Sequence, residues 1–120
     1  MSLMDEIIGG GDAGPDPRFP HAPSGWTPAL AAESARREGL ELGEEHLMAV
    51  RALQEYFARH EPTAINLREL HDALDEKFHR QGGIRHLYLL FPGGPIAQGC
   101  RIAGLKAPAG ATDKGFGSVA

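Results

Sequence analysis

The chain contains one cysteine, Cys100, inside the run LFPGGPIAQGCRIAGLKAPAGA, residues 90–111. A thiolate is the side-chain form that attacks sulfur or binds a soft metal, and a neighbouring cation favours it; Arg101 is adjacent. On a helix, however, Ile96, Gly99, Cys100 and Ala103 fall at i, i+3, i+4 and i+7 and share one face. A free cysteine on such a face often packs as a small apolar filler. Both readings stand: a reactive sulfur, or a piece of core. A single cysteine excludes an internal disulfide and any disulfide-stapled framework.

Other residues with chemical potential carry weaker signals. His71, Asp75 and His79 are four apart on one helix face, a spacing that could hold a divalent metal. They also lie opposite Leu67, Leu70 and Leu74, where solvated polar groups belong, and that is the preferred reading, so no metal is expected. Two consecutive helices around residues 44–80 could form a helix-turn-helix, with Arg68, Lys77 and Arg80 on the second. Glu69, Asp72, Asp75 and Glu76 on that same helix would repel phosphates, which disfavours nucleic acid as a partner. No Ser-His-Asp set, P-loop or dinucleotide fingerprint occurs, so no cofactor is expected.

The elements that must position these groups are helical. Thr27-Pro28 reads as an N-cap followed by proline at the first helical position, with Arg36 and Arg37 in the last turn and Gly39 beyond it. A second helix is expected from Glu44 to about His60, its buried stripe formed by Leu47, Val50, Leu53 and Phe57. The third opens at Asn66, with Glu69 three residues on, and buries Leu67, Leu70, Leu74 and Phe78. Gly82-Gly83 ends it. Short helices fit Ile84 to Leu90 and Pro95 to Ala103, the last with Gly104 as its C-terminal cap. Residues 9–25 are dense in Gly and Pro, with Phe19 and Trp26 as aromatic anchors, and read as an extended arm. The reading is therefore three segments: an N-terminal arm over 1–25, a helical domain over 26–104 and a C-terminal arm over 105–120.

Composition narrows the classes. The chain has 120 residues, 42% hydrophobic and 23% charged, which fits one small globular domain. Twelve basic against sixteen acidic residues give a net charge of -4, without the basic surplus of a nucleic-acid or anionic-membrane binder. No apolar run approaches the ~20 residues that span a bilayer. The segment MSLMDEIIGGG lacks the basic-then-apolar pattern of a secretory signal, so a cytoplasmic location is expected.

Several segments together resemble the DsrC/TusE family of sulfur-relay proteins. GLELGEEHLMAVRALQEYFARH is similar to the family's acidic start of a long aromatic-rich helix, and RELHDAL to its Arg-x-Leu helix. GWTPAL resembles its Trp-x-Pro opening of the first helix. The most specific match is Leu90-Phe91-Pro92, Gly94-Pro95 and Gln98 to Leu105. The resemblance covers roughly Trp26 to Ala111 and implies a mainly α fold, α+β in the family: a small orthogonal bundle of about five helices with an N-terminal β-hairpin. The residues before Trp26 are poor strand formers, so that hairpin is expected to be degenerate or absent.

The resemblance also implies a chemistry. Family members carry persulfide sulfur on a cysteine near the end of a flexible tail, and some have a second cysteine in the last helix. Cys100 matches that upstream cysteine, and the tail cysteine falls on Ala111. Ala97 stands where a lysine is frequent; Arg68 and Arg85 match basic positions of the family, and with Arg101 are candidate tail or partner contacts. The expectation is a partner-docking or regulatory member that does not carry sulfur on its tail, with sulfite-reductase-type or sulfur-relay proteins as partners. The alternatives are sulfur transfer through Cys100 alone, in sulfur oxidation or tRNA 2-thiolation, and a helix-turn-helix regulator.

Overall fold

A computed structural model describes residues 16–111. It holds five α-helices: α1 (Pro28–Arg37), α2 (Glu44–Arg59), α3 (Leu67–Lys77), α4 (Gly83–Leu90) and α5 (Ala97–Ala103). Single 3-10 turns, Pro62–Ala64 and His79–Gln81, precede α3 and α4. No strand occurs among the described residues, so within them the fold is a mainly α bundle. The first fifteen residues, where most of an N-terminal hairpin would fall, lie outside them.

Local chemistry sets the helix ends. Thr27 Oγ1 accepts the Leu30 N–H at 3.1 Å with Pro28 at the first helical position, and Asn66 Oδ1 accepts the Glu69 N–H at 2.8 Å. Gly43 has no side chain to cap α2; instead His46, three residues in, accepts the Gly43 N–H on Nδ1 at 3.0 Å. This is half of a capping box, with imidazole in place of the usual Glu or Gln. Asp75, one of the suspected metal ligands, uses Oδ1 to accept the Ile84 N–H at 2.8 Å, so α3 supplies a remote cap for the start of α4.

Packing then divides the helices. α5 sits against α2 and α1, while α3 packs chiefly against α4. The suspected helix-turn-helix pair is thus not a two-helix unit: α2 and α3 each face a different partner. The largest fully buried side chains are Phe19, Phe91, Leu53, Leu70, Leu87 and Ile102, which join the two halves in one core. Leu47, Phe57 and Leu67, expected on buried stripes, are only partly buried. Residues 16–25 form successive turns anchored by Phe19, whose ring meets Trp26 edge-to-face at 5.0 Å. At the other end, Leu105, Ala107 and Ala111 pack against the core as a strap without helical structure.

The α3–α4 turn depends on glycine. Gly83 has φ +69°, and a Cβ there would collide with Asp75 Oδ1, the atom that caps α4. Gly83→Ala combines left-handed backbone strain with loss of that hydrogen bond, an expected cost of about 2 kcal/mol. Urea denaturation should show the midpoint falling at unchanged slope.

Candidate functional site

The run that holds Cys100 forms a tight turn and the most buried helix of the domain. Gly94, with φ +105°, turns the chain after Phe91, and α5 begins three residues later. Ala97, Gln98, Gly99, Cys100, Ile102 and Ala103 are all buried. Small side chains permit this approach: a Cβ on Gly99 would lie 2.9 Å from Leu53 Cδ1 of α2. A seven-residue helix is far below the length that is stable by itself, so its orphan carbonyls need partners. Gln54 Nε2 donates to Ala103 O at 3.0 Å, and Trp26 Nε1 donates to Ile102 O at 2.8 Å. Gly104, with φ +80°, closes the helix, and Leu105 N–H reaches back to Cys100 O at 2.8 Å.

Cys100 is 0% exposed. Burial disfavours the thiolate and pushes the thiol up to about 12; Arg101 lowers it, but by less. The reason lies in where Arg101 points. Its Nε and Nη2 donate to both oxygens of Glu38 at 3.0 and 2.8 Å, a bidentate pair. Gln98 Nε2 donates to the same carboxylate at 2.9 Å, and Gln98 Oε1 accepts the Gly93 N–H at 2.9 Å. Arg101, hydrogen bonding first, then Gln98, holds the Glu38 carboxyl below its usual range despite partial burial. Glu38 follows the last residue of α1, where the helix dipole disfavours an anion, so it requires a cation partner. Its position beyond a helix C-terminus was the signal in the sequence, and only the fold names the partner.

Ala111 ends the described strap in a small pocket of about 100 Å³. Leu67 and His71 of α3, Tyr88 of α4, and Gly94, Ile96 and Ala97 wall it. Gly110 runs close against α3: a Cβ there would touch Leu67 Cδ2 at 3.4 Å. Position 111 is thus seated next to the turn that opens α5. Arg68 and Arg85 are exposed on α3 and α4, one residue from Leu67 and three from Tyr88; neither lines the pocket. His71 and Tyr88 were missed as pocket walls. Among the described residues no group of three His, Cys, Asp or Glu side chains is placed to hold a metal ion. No helix among them is long and apolar enough to cross a membrane.

Residues 16–111 match the family described as DsrC like protein. The chain belongs to the DsrC-like family. Sulfurtransferase TusE of Salmonella paratyphi A (strain ATCC 9150 / SARB42) is 42% identical over 84 residues, covering 69% of this chain and 76% of that protein. TusE of Escherichia coli (strain K12) is 38% identical over 86 residues, 71% of this chain and 78% of its own. TusE of Sodalis glossinidius (strain morsitans) is 37% identical over 84 residues, 69% and 77%. No solved structure matches the chain. The DsrC-like match embraces the α4–α5 turn, the buried helix and the strap through Ala111, so the features just described lie within the sulfur-relay family's own segment.

Burial that pushes the thiol up to about 12 leaves very little Cys100 thiolate at pH 8, so native alkylation by iodoacetamide should be at least ~100-fold slower than in urea. The unfolded thiol ionises first, so Cys100 should make stability fall as pH rises above about 9, by up to about 1.4 kcal/mol per unit, and Cys100→Ala should lessen that slope. Arg101→Ala leaves the Glu38 carboxylate, 13% exposed, with Gln98 alone; a loss of about 1 kcal/mol is expected after solvent screening. The Glu38 pair contributes above the ordinary carboxyl value of 4.5 and is lost as pH falls through the depressed value in the fold. The difference between wild type and Arg101→Ala should therefore shrink in acid, as thermal melts against pH would show.

Proposed function

We propose that this chain is a partner-docking member of the sulfur relay that does not carry sulfur on its own tail. The observation that supports it is Ala111: the family's tail thiol is expected at this position, and a methyl group is seated there between α3, α4 and the α5 turn. Carrying a sulfane sulfur requires a thiolate that attacks the outer sulfur of a donor persulfide. The donor's inner sulfur then leaves as a thiolate, with no net gain or loss of electrons. Ala111 has no such nucleophile, and the one thiol of the chain is enclosed in the core.

Docking needs only surface. Arg68 and Arg85, exposed on the two helices that wall the Ala111 pocket, are the residues we assign to partner contact. Arg101 is assigned to holding Glu38 instead. The partners in this reading are sulfur-relay or sulfite-reductase-type proteins, met in the cytoplasm. Transfer through Cys100 alone is the competing reading, and it would require α5 to open from the core before the sulfur met a donor.

The deciding measurement is intact-protein mass spectrometry after exposure to a persulfide donor. Wild type should remain unmodified, and Ala111→Cys should gain one sulfur atom, retained when Cys100 is also replaced by alanine. A wild-type adduct abolished by Cys100→Ala would instead establish the Cys100 reading. Affinity capture from the native host should enrich sulfur-relay or sulfite-reductase-type proteins, weakened by the Arg68→Ala, Arg85→Ala double variant. Enrichment of neither class would end the docking assignment.

A further inference from the structure

Away from the α5 turn, a concavity of about 410 Å³ lies where residues 20–21, α2 and the end of α3 meet. Its size falls within the range of small-molecule sites. Arg51 from the middle of α2 and Lys77 from the last turn of α3 both line it. The remaining wall is mixed: Met48 and Phe78 are apolar, and His21 and Gln81 add polar groups. One carboxylate, Glu55, also lines the space, but its Oε2 is engaged by Arg59 at 2.9 Å.

The distribution of charge around this space is unusual for the chain. Its net charge is -4, yet the cavity gathers two cations. The five ion pairs found among the described residues use Arg18, Arg37, Arg59, His86 and Arg101. Neither Arg51 nor Lys77 has an ion-pair partner among the described residues, although Arg51 is half-buried. Two cations on one concave, partly apolar wall raise the positive potential there, and Glu55, shared with Arg59, offsets it only in part. Arginine offers a planar fork suited to an oxyanion, and lysine a mobile point charge beside it.

We propose that this cavity binds a small oxyanion of the phosphate or sulfate type, held between Arg51 and Lys77. An organic substituent on that anion would rest against Met48 and Phe78, and the free ion would leave that wall uncovered. The site is separate from the Ala111 pocket, with which it shares no lining residue, and does not depend on the docking reading.

Calorimetry and amide NMR on the full chain at low ionic strength test it, with inorganic phosphate, phenyl phosphate and phenol as probes. Both phosphates should saturate, shifting amide signals of residues 48–55 and 77–81, and phenol should not. Tighter binding of phenyl phosphate points to an organic monoester as the natural ligand, and equal binding to the free ion. Arg51→Gln, Lys77→Gln should weaken binding at least ~10-fold, and Lys77→Arg should retain it. A matching thermal melt confirms that the variant is folded. No saturation by either phosphate, or equal affinity in the folded double variant, would overturn the proposal.

Discussion

A seven-residue helix that cannot stand alone is the constraint on which the rest of this domain depends. α5 is buried along nearly its whole length, and beyond its own short ladder and Gly104 cap it is held by side chains from other elements. Gln54 of α2 and Trp26 of the N-terminal turns take its final carbonyls. Glu38 beyond α1 grips Arg101 and Gln98 on its outer side. α1, α2 and the turns before α1 are therefore arranged as a socket. The neighbouring junction uses the same device: His46 Nδ1 accepts the Gly43 N–H, which leaves the proton on Nε2 to donate to Leu90 O at 2.9 Å. Three carbonyls at the ends of α4 and α5 are thus satisfied by side chains from elsewhere, so these helices form only when the bundle does.

That arrangement explains the chemistry of Cys100 without appeal to its charged neighbour. A sulfur fully enclosed in the core loses water on all sides, and desolvation outweighs the attraction of Arg101. The adjacency in sequence that suggested an activated thiol is an adjacency of opposite faces. Cys100 points inward, and Arg101 points out to Glu38. The same segment thus places an unreactive sulfur in the core and an arginine in a structural pair.

Much of this was legible beforehand, and the exceptions share a cause. Thr27, Pro28, Asn66 and Gly104 announced helix ends because capping is a local matter, decided within four residues. α5 is regular from Ala97, two residues past the expected Pro95, although Gly94 O and Pro95 O already accept the Gln98 and Gly99 N–H groups at 2.9 and 3.1 Å. Asp75 looked like a solvated or metal-binding group because its partner, Ile84 N–H, is nine residues away across a glycine turn. Glu38 and Arg101 are 63 residues apart, and no period or spacing connects them. The Ala111 pocket was equally hidden: the family pattern located the residue, but its walls come from α3, α4 and the α5 turn, and only the fold brings them together.

The tryptophan bears on how this molecule could be watched. Trp26 is the only one in the chain. Its indole N–H is bonded to Ile102 O, and its ring lies so close to Gly104 that a Cβ there would approach Cδ1 to 2.8 Å. Gly104 is the last residue before the strap toward Ala111. Any event that peels the strap away or loosens α5 must disturb that ring, its hydrogen bond and its exposure to water. The chain therefore carries an intrinsic optical reporter at the root of its own C-terminal strap, and partner engagement there would be readable as a change in fluorescence without any label.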